Sequence, residues 1–152
     1  YRYFNSLDGL IAAYIQQHDY WINFDEQLPD EEHIGEFIKE IFKRQIAMLR
    51  QSYTLRRLYR WELTSNNTFI KELREKREAK GVWLVDAVSK LSKHPQKETA
   101  AMASILTAAI SYLSLLEENC PVFNGINIQT EDGWKELEEG INILIDIWLE
   151  KR

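Results

Sequence analysis

Residues that break helices are scarce in this chain, and this scarcity constrains its fold more than any other feature. The 152 residues include 6 Gly and 3 Pro, about half of the usual share in globular proteins. Sheet proteins need Gly and Pro in their many turns, so their scarcity favours long helices. The length suits one compact unit. We therefore expect an all-α fold, a helical bundle of about six helices.

Hydrophobic periodicity and capping residues mark the six helices. The first is expected to include Trp21 and to continue to the break at Leu28-Pro29. The connection over 119–129, which contains Asn124-Gly125, is long enough for its apolar side chains to pack onto the bundle. Those side chains are Val122, Phe123, Ile126 and Ile128. In chain order, the helices begin near Ser6, Asp30, Tyr53, Phe69, Lys97 and Thr130.

The fifth helix contains an uncharged stretch close to the minimum length of a membrane span. Residues 99–116 carry no charge, and a span needs roughly 17–25 apolar residues. Five of these residues are Ser or Thr and five are Ala, which makes the stretch too weakly hydrophobic for insertion. We expect no membrane association, and we expect other parts of the protein to cover this helix on several sides.

The fifth and sixth helices are the candidates for a subunit interface. The sixth carries two apolar stripes, and such a helix needs two partners. Pairing the last two helices of two copies would form a four-helix bundle, so a homodimer is expected. The residues predicted at this interface are Ser104, Ala108, Ser111, Tyr112, Leu115, Trp134, Ile141, Leu144, Ile145 and Trp148.

Charge is unevenly distributed along the chain. The net charge of −5 disfavours a nucleic-acid surface on this chain. Residues 39–80, however, carry twelve Lys and Arg against five Asp and Glu. Two explanations stay open: these charges pair within the fold, or they form a basic surface for an acidic partner. The second explanation requires Arg50, Arg56, Arg57 and Arg60 to be exposed and aligned.

Residues that could carry catalysis or bind a metal are few and far apart. His18, His33 and His94 lie outside metal-ligand spacing of one another. Asp30 and His33 are close in sequence, but helix capping explains that pair. Cys120 has no evident activating base, and as the single Cys it indicates a reducing compartment. We expect a cytoplasmic protein, with no secretory leader, that is not an enzyme and needs no metal or cofactor.

Aromatic residues are numerous enough to line a ligand cavity, although a place in the core is the alternative for each of them. The chain has 5 Trp, which combine a large apolar body with one polar tip. Together with adaptable Met, they suit a small-molecule pocket. We expect a cavity between the second, fourth and fifth helices that binds an apolar or amphipathic small molecule. The predicted lining residues are Trp21, Gln45, Met48, Trp61, Trp83, Asp86 and Thr107.

The first ten residues resemble a junction found in the tetracycline-repressor (TetR) family of transcriptional regulators. In that family, Tyr-x-x-Phe closes the recognition helix of a helix-turn-helix, and Ser-Lys-Asp/Glu-x-Leu opens the next helix. Leu7 departs from the pattern, because the family commonly has a Lys there that contacts a DNA phosphate. The matching residues are Tyr1 and Phe4 for the first pattern, and Ser6, Asp8 and Leu10 for the second.

The resemblance implies a domain organisation and a mechanism. Residues 1–5 would be the end of the recognition helix, with most of the DNA-binding head upstream, and Tyr1 and Tyr3 would contact the DNA backbone. Residues 6–152 would form the ligand-binding and dimerisation domain of a regulator, typically a repressor. A ligand in the cavity would move the first helix, change the spacing of the two recognition helices in the dimer and so alter affinity for operator DNA.

Two other functions stay open. A helical protein-interaction module would use the basic region 39–80 to bind an acidic partner. A small helical enzyme would need a clustered acid, base or metal in a pocket, and no such spacing occurs in the sequence. A cavity lined by apolar residues favours the regulator, whereas aligned exposed arginines without a cavity favour the interaction module.

Overall fold

The computed structural model describes residues 6–151 and is an all-α bundle. Within that range it contains six α-helices, one short 3₁₀ turn (Glu31–His33) and one small hairpin, which confirms the predicted fold class. The helices are α1 (Leu7–His18), α2 (Ile34–Gln51), α3 (Tyr53–Leu63), α4 (Thr68–Ser92), α5 (Gln96–Leu116) and α6 (Glu131–Glu150).

Side-chain caps begin the first and last helices at the predicted residues. Ser6 Oγ accepts a hydrogen bond from Gly9 N at 3.0 Å at the start of α1. Thr130 Oγ1 accepts one from Gly133 N at 3.1 Å at the start of α6. Each cap satisfies a backbone donor that helix geometry leaves without an intrahelical partner.

The first helix ends directly before Asp19, much earlier than predicted. Asp19 Oδ1 accepts a hydrogen bond from Ile22 N at 2.8 Å. Asn23 Nδ2 donates to the carbonyls of Gln16 and Asp19 at 2.8 and 2.7 Å. Such side-chain bonds offer the backbone an alternative to further helix. The prediction that this helix includes Trp21 is therefore wrong, because Trp21 lies in the connection between α1 and α2.

Two hydrophobic cores position the helices. The larger core surrounds α2, which contacts α3, α4, α5 and α6. A smaller core joins α1 to the first half of α4, so the position of α1 depends directly on α4. The buried residues of this smaller core are Ala12, Ile15, Ile70 and Leu73.

The connection between α5 and α6 contains a hairpin that the sequence analysis did not predict. Its strands β1 (Val122–Phe123) and β2 (Ile126–Asn127) pair antiparallel. The turn residues Asn124-Gly125 have φ angles of 51° and 82°, as the type I′ turn of a tight hairpin requires. Ile128 is buried as predicted, whereas Val122 is exposed on the first strand.

Three of the ten predicted interface residues lie in the core of the chain itself, so their assignment to an interface is wrong. Trp134, Ile145 and Trp148 are 2%, 1% and 7% exposed, because the stripe of α6 that carries them packs against α2. The other apolar stripe of α6 is exposed. The remaining predicted residues are exposed (Ser104, Ala108, Tyr112, Leu144) or half-buried (Ser111, Leu115, Ile141).

Helix α5 alone, within the part of the chain that the structure describes, is long and apolar enough to cross a membrane. Only 22% of its apolar window is buried inside the chain, which is less cover than the sequence analysis predicted. Core helices of soluble proteins pass the same test of length and composition. Since α5 packs against α2, α3 and α4, the bundle is compatible with a soluble protein whose α5 has one uncovered face.

Candidate ligand cavity

A cavity of about 640 Å³ lies between α2, α4 and α5. The sequence predicts a cavity in this region, and the volume is typical of small-molecule sites. Helix α5 borders it with many small side chains, which leave space between the helices. The apolar side chains around it include Trp21, Phe42, Leu84, Met102 and Trp148.

The cavity has a charged end and an apolar end. Arg74, Arg77 and Glu78 line it from the first half of α4, and Leu84 and Val88 line it from the second half. At a rise of 1.5 Å per residue, the wall from Arg74 to Val88 is about 21 Å long. The arrangement suits an elongated molecule with a polar group at one end.

Arg77 connects the cavity to the C-terminal end of α1. Its Nε donates to Asp19 Oδ2 at 3.0 Å, and its two Nη atoms donate to the Glu62 carboxylate at 3.0 and 2.8 Å. Tyr59 Oη donates to the same Asp19 oxygen at 2.7 Å. Asp19 and Glu62 are 1% and 5% exposed. The guanidinium of one cavity-lining side chain therefore bonds to two buried carboxylates, and one of these, Asp19, follows α1 directly.

Burial and pairing together set the protonation of this cluster. Burial alone would raise the pKa of Glu62, but Arg77 and Arg74 hold that pKa below its ordinary value. Burial would lower the pKa of Arg77, but the carboxylates of Glu62 and Asp19 raise it. Burial, reinforced by Asp19, raises the pKa of Tyr59. At neutral pH the cluster therefore contains an ionised Glu62, a charged Arg77 and a neutral, donating Tyr59.

Gly81 lies in the middle of the α4 wall. A Cβ at this position would meet no heavy atom within 4 Å. Glycine inside a helix is less stable than alanine by about 1 kcal/mol, so local structure does not favour it here. Its effect is to leave the cavity open, and a large side chain at position 81 would enter that space.

Two of the seven predicted lining residues, Trp21 and Thr107, border the cavity. Trp83 and Asp86 do not, because they point away from the stripe of α4 that faces it. Lys80 Nζ lies 5.8 Å from the centre of the exposed Trp83 ring. Asp86 forms an ion pair elsewhere on the outer side of α4. The prediction is wrong for both residues.

The prediction is also wrong for Gln45, Met48 and Trp61. Gln45 is buried in α2 beyond the stretch that borders the cavity, and its Oε1 has no hydrogen-bond partner among the described residues. Met48 packs against the larger core. Trp61 packs against the smaller core, on the far side of α4. These three side chains fill the protein interior instead.

Most of the α4 wall was not among the residues predicted from the sequence. Arg74, Arg77, Gly81 and Val88 follow helical spacing, which could have identified one common face. They were overlooked because residues 71–80 are mostly charged and resemble a solvent-exposed surface. Three residues assigned to the subunit interface also border the cavity, namely Ser104, Ala108 and Trp148.

Most arginines of the basic region pair within the fold. Arg50 and Arg60 lie 3.3 and 3.0 Å from carboxylate oxygens of Glu117 and Glu118. Arg56 is buried and donates two hydrogen bonds to the last carbonyls of α2. Of the four predicted arginines, only Arg57 is exposed. The exposed, aligned set that an interaction module requires is therefore not formed.

The remaining candidates add no second site. Tyr1 and Tyr3 lie outside the described residues. Asp30, Glu32 and His33 could approach one ion, but all three are exposed at the short 3₁₀ turn. His33 Nδ1 lies 2.6 Å from Asp30 Oδ1, and this bond lowers the pKa of Asp30 and raises that of His33. Capping of the turn explains the pair, as predicted.

Comparisons with protein-family models, with curated proteins and with solved structures gave no match to this chain. The candidate function therefore depends on the geometry of the cavity and on the arrangement of the helices around it. Within the described residues, the cavity bordered by α2, α4 and α5 combines a mostly apolar lining with a direct connection to α1.

Proposed function

We propose that residues 6–152 form the ligand-binding and dimerisation domain of a transcriptional regulator of the tetracycline-repressor type, and that residues 1–5 end its recognition helix. The observation that carries this proposal is the 640 Å³ cavity, whose lining includes Trp21 and Arg77. Trp21 belongs to the segment that follows α1, and Arg77 binds Asp19 at the end of α1. A molecule in the cavity would contact both residues.

These contacts give the ligand a physical means to move α1. A ligand that displaces Trp21 or reorients Arg77 alters the support of Asp19, and α1 then shifts against α4. In a dimer this shift changes the separation of two recognition helices, which must match successive major grooves about 34–36 Å apart. Coupling between two such sites is typically about 1–3 kcal/mol.

The uncovered faces of α5 and α6 support the dimer in this proposal. Ile105 and Tyr112 on α5 are 65% and 58% exposed, and Ile143 and Ile147 on α6 are 58% and 61% exposed. Large apolar surfaces on soluble proteins are typical of interaction sites. We expect sedimentation to give about twice the mass of 18.0 kDa.

The dimer proposal is tested with Ile147→Glu, which should give a monomer because it places a charge on the uncovered face. Leu63→Glu is the control, since Leu63 is 69% exposed and belongs to α3 rather than to α5 or α6, and it should remain dimeric. A wild-type monomer at micromolar concentration would contradict the dimer.

Ligand binding is tested with the uncharged fluorophore N-phenyl-1-naphthylamine, which brightens in apolar surroundings. We expect saturable binding that Gly81→Phe weakens by about tenfold or more, equivalent to about 1.4 kcal/mol, because the new ring enters the cavity. Ala79→Phe is the matched control on the same helix, since Ala79 is exposed and does not line the cavity. Equal binding by both variants would refute the cavity as the ligand site.

The DNA-binding part of the proposal is tested on the protein translated with its upstream coding sequence. A helix-turn-helix is expected within about 45 residues before Tyr1, and the protein should select inverted-repeat duplexes from a random library. The absence of both would refute the regulator and leave a helical binding module.

A further inference from the structure

The charged end of the cavity has no spare positive charge. Arg74 and Arg77 both bond to Glu62, and Arg77 also bonds to Asp19. Glu78 adds a third carboxylate, and it has no ion pair among the described residues. Two guanidinium groups thus face three carboxylates. An anionic ligand would give up part of its hydration at this end without meeting an uncompensated cation.

A cationic ligand would also gain little binding free energy at this end of the cavity. The guanidinium groups of Arg74 and Arg77 line the same end of the cavity and would repel it. The carboxylates of Asp19 and Glu62 are buried and already bonded to Arg77. Glu78 is exposed, and water screens the attraction of an exposed carboxylate.

This end nevertheless offers hydrogen-bond donors. A guanidinium has five N–H groups. Arg74 uses Nε and Nη2 for Glu62, at 3.4 Å to a carboxylate oxygen and 2.7 Å to the backbone carbonyl. Arg74 is exposed, and its Nη1 has no hydrogen-bond partner among the described residues, so it can donate to a ligand in place of water. The indole N–H groups of Trp21 and Trp148, which both border the cavity, also lack an acceptor in the described range.

We propose that the cavity binds an uncharged amphipathic molecule with a hydrogen-bond acceptor, such as an ester or ketone oxygen, at Arg74 Nη1. The apolar tail extends along α4 past Gly81 to Val88 and Trp148. This inference deepens the proposed function and rests on it, because it names the class of ligand for the same cavity.

The test compares three molecules that share one alkyl length and differ in charge: methyl decanoate, decanoate and decyltrimethylammonium. Each is titrated, below its micelle concentration, against wild-type protein loaded with N-phenyl-1-naphthylamine, and displacement of the fluorophore is measured. We expect methyl decanoate to displace it at about tenfold lower concentration than either ion, equivalent to about 1.4 kcal/mol. Preferential displacement by decanoate or by the ammonium compound would overturn the inference.

The position of the acceptor is tested with Arg74→Leu. Loss of one hydrogen bond should weaken methyl decanoate about threefold to tenfold, after correction for the affinity of the fluorophore, which is measured separately for each variant. Arg57→Leu is the control, because Arg57 is exposed on α3 and does not line the cavity. If Arg74→Leu binds methyl decanoate like the wild type, the acceptor does not lie at Arg74. Failure of the fluorophore to bind wild-type protein would instead refute the proposed function.

Discussion

Replacing Arg77 by Met removes the cation that serves two buried carboxylates while it keeps most of the side-chain volume. The guanidinium lies 2.9 Å from Asp19 Oδ2 and 2.8 Å from Glu62 Oε1. Removing one partner of a buried ion pair costs about 3–5 kcal/mol. Arg77 is 27% exposed, and Arg74 and Tyr59 still contact the carboxylates. We therefore expect the free energy of unfolding to fall by about 3 kcal/mol. Domains of this kind are stable by roughly 5–15 kcal/mol.

The assay is urea unfolding followed by far-ultraviolet circular dichroism, with Arg57→Met as an exposed control. The control should lie within about 0.5 kcal/mol of the wild type. The double variant Glu62→Gln/Arg77→Met should be less destabilised than the sum of the two single variants, because each single change leaves the other group unpaired. A loss below about 1 kcal/mol for Arg77→Met would refute the view that this cation stabilises the cluster.

The pH dependence provides an independent check. In the wild type the pKa of Glu62 is lowered from 4.5, so its contribution to stability is present above that pH and is lost as pH falls through the folded pKa. In Arg77→Met, burial would dominate and raise the pKa of Glu62 above 4.5. Ionisation of Glu62 then lowers the free energy of unfolding of the variant as pH rises through this raised pKa. The difference between wild type and variant should therefore shrink on acidification from about pH 7, and a constant difference would contradict this account.

Three further predictions concern backbone positions and can be measured by thermal and urea unfolding. Gly81→Ala and Gly140→Ala should each stabilise the protein by up to about 1 kcal/mol, because a Cβ at either position meets no heavy atom within 4 Å; destabilisation by either would contradict the open space. Gly133→Ala should cost more than the ~1–3 kcal/mol of ordinary overpacking, because its Cβ would overlap the backbone carbonyl of Asn127. Thr130→Ala should cost about 1 kcal/mol by removing the cap of α6, and an unchanged midpoint would exclude that role.

The sequence predicts helices well where periodicity and capping agree. Thr130 begins α6 as expected because its hydroxyl has a backbone donor within reach, a local relation that sequence spacing reveals. The end of α1 could not be placed in the same way. Leu28-Pro29 is the stronger helix-breaking signal, but the bonds of Asp19 and Asn23 end the helix first, and sequence alone does not rank such competing interactions.

The location of the cavity was predictable, whereas most of its lining was not. Which residues of a helix line a cavity depends on their angular position around the helix axis. Successive side chains point in directions about 100° apart, so a residue next to a lining residue can point away from the cavity. Trp83 is predicted to line the cavity because it is aromatic. The residues that do line it there include its neighbours Gly81 and Val82. Arg77 was overlooked because its charge suggested solvent, and only tertiary structure reveals the buried carboxylates that compensate it.

In the proposed regulator, the two roles of Arg77 would link the stability of the fold to the response to a ligand. The side chain borders the cavity and also supports Asp19 at the end of α1. If a ligand draws Arg77 away from Asp19, part of the stabilisation of α1 is lost. Because coupling between two binding sites is reciprocal, a partner that holds α1 in place must weaken ligand binding by the same factor. In the proposed regulator, the free energy with which this cluster holds Asp19 would therefore limit how strongly a ligand can act on α1 through Arg77.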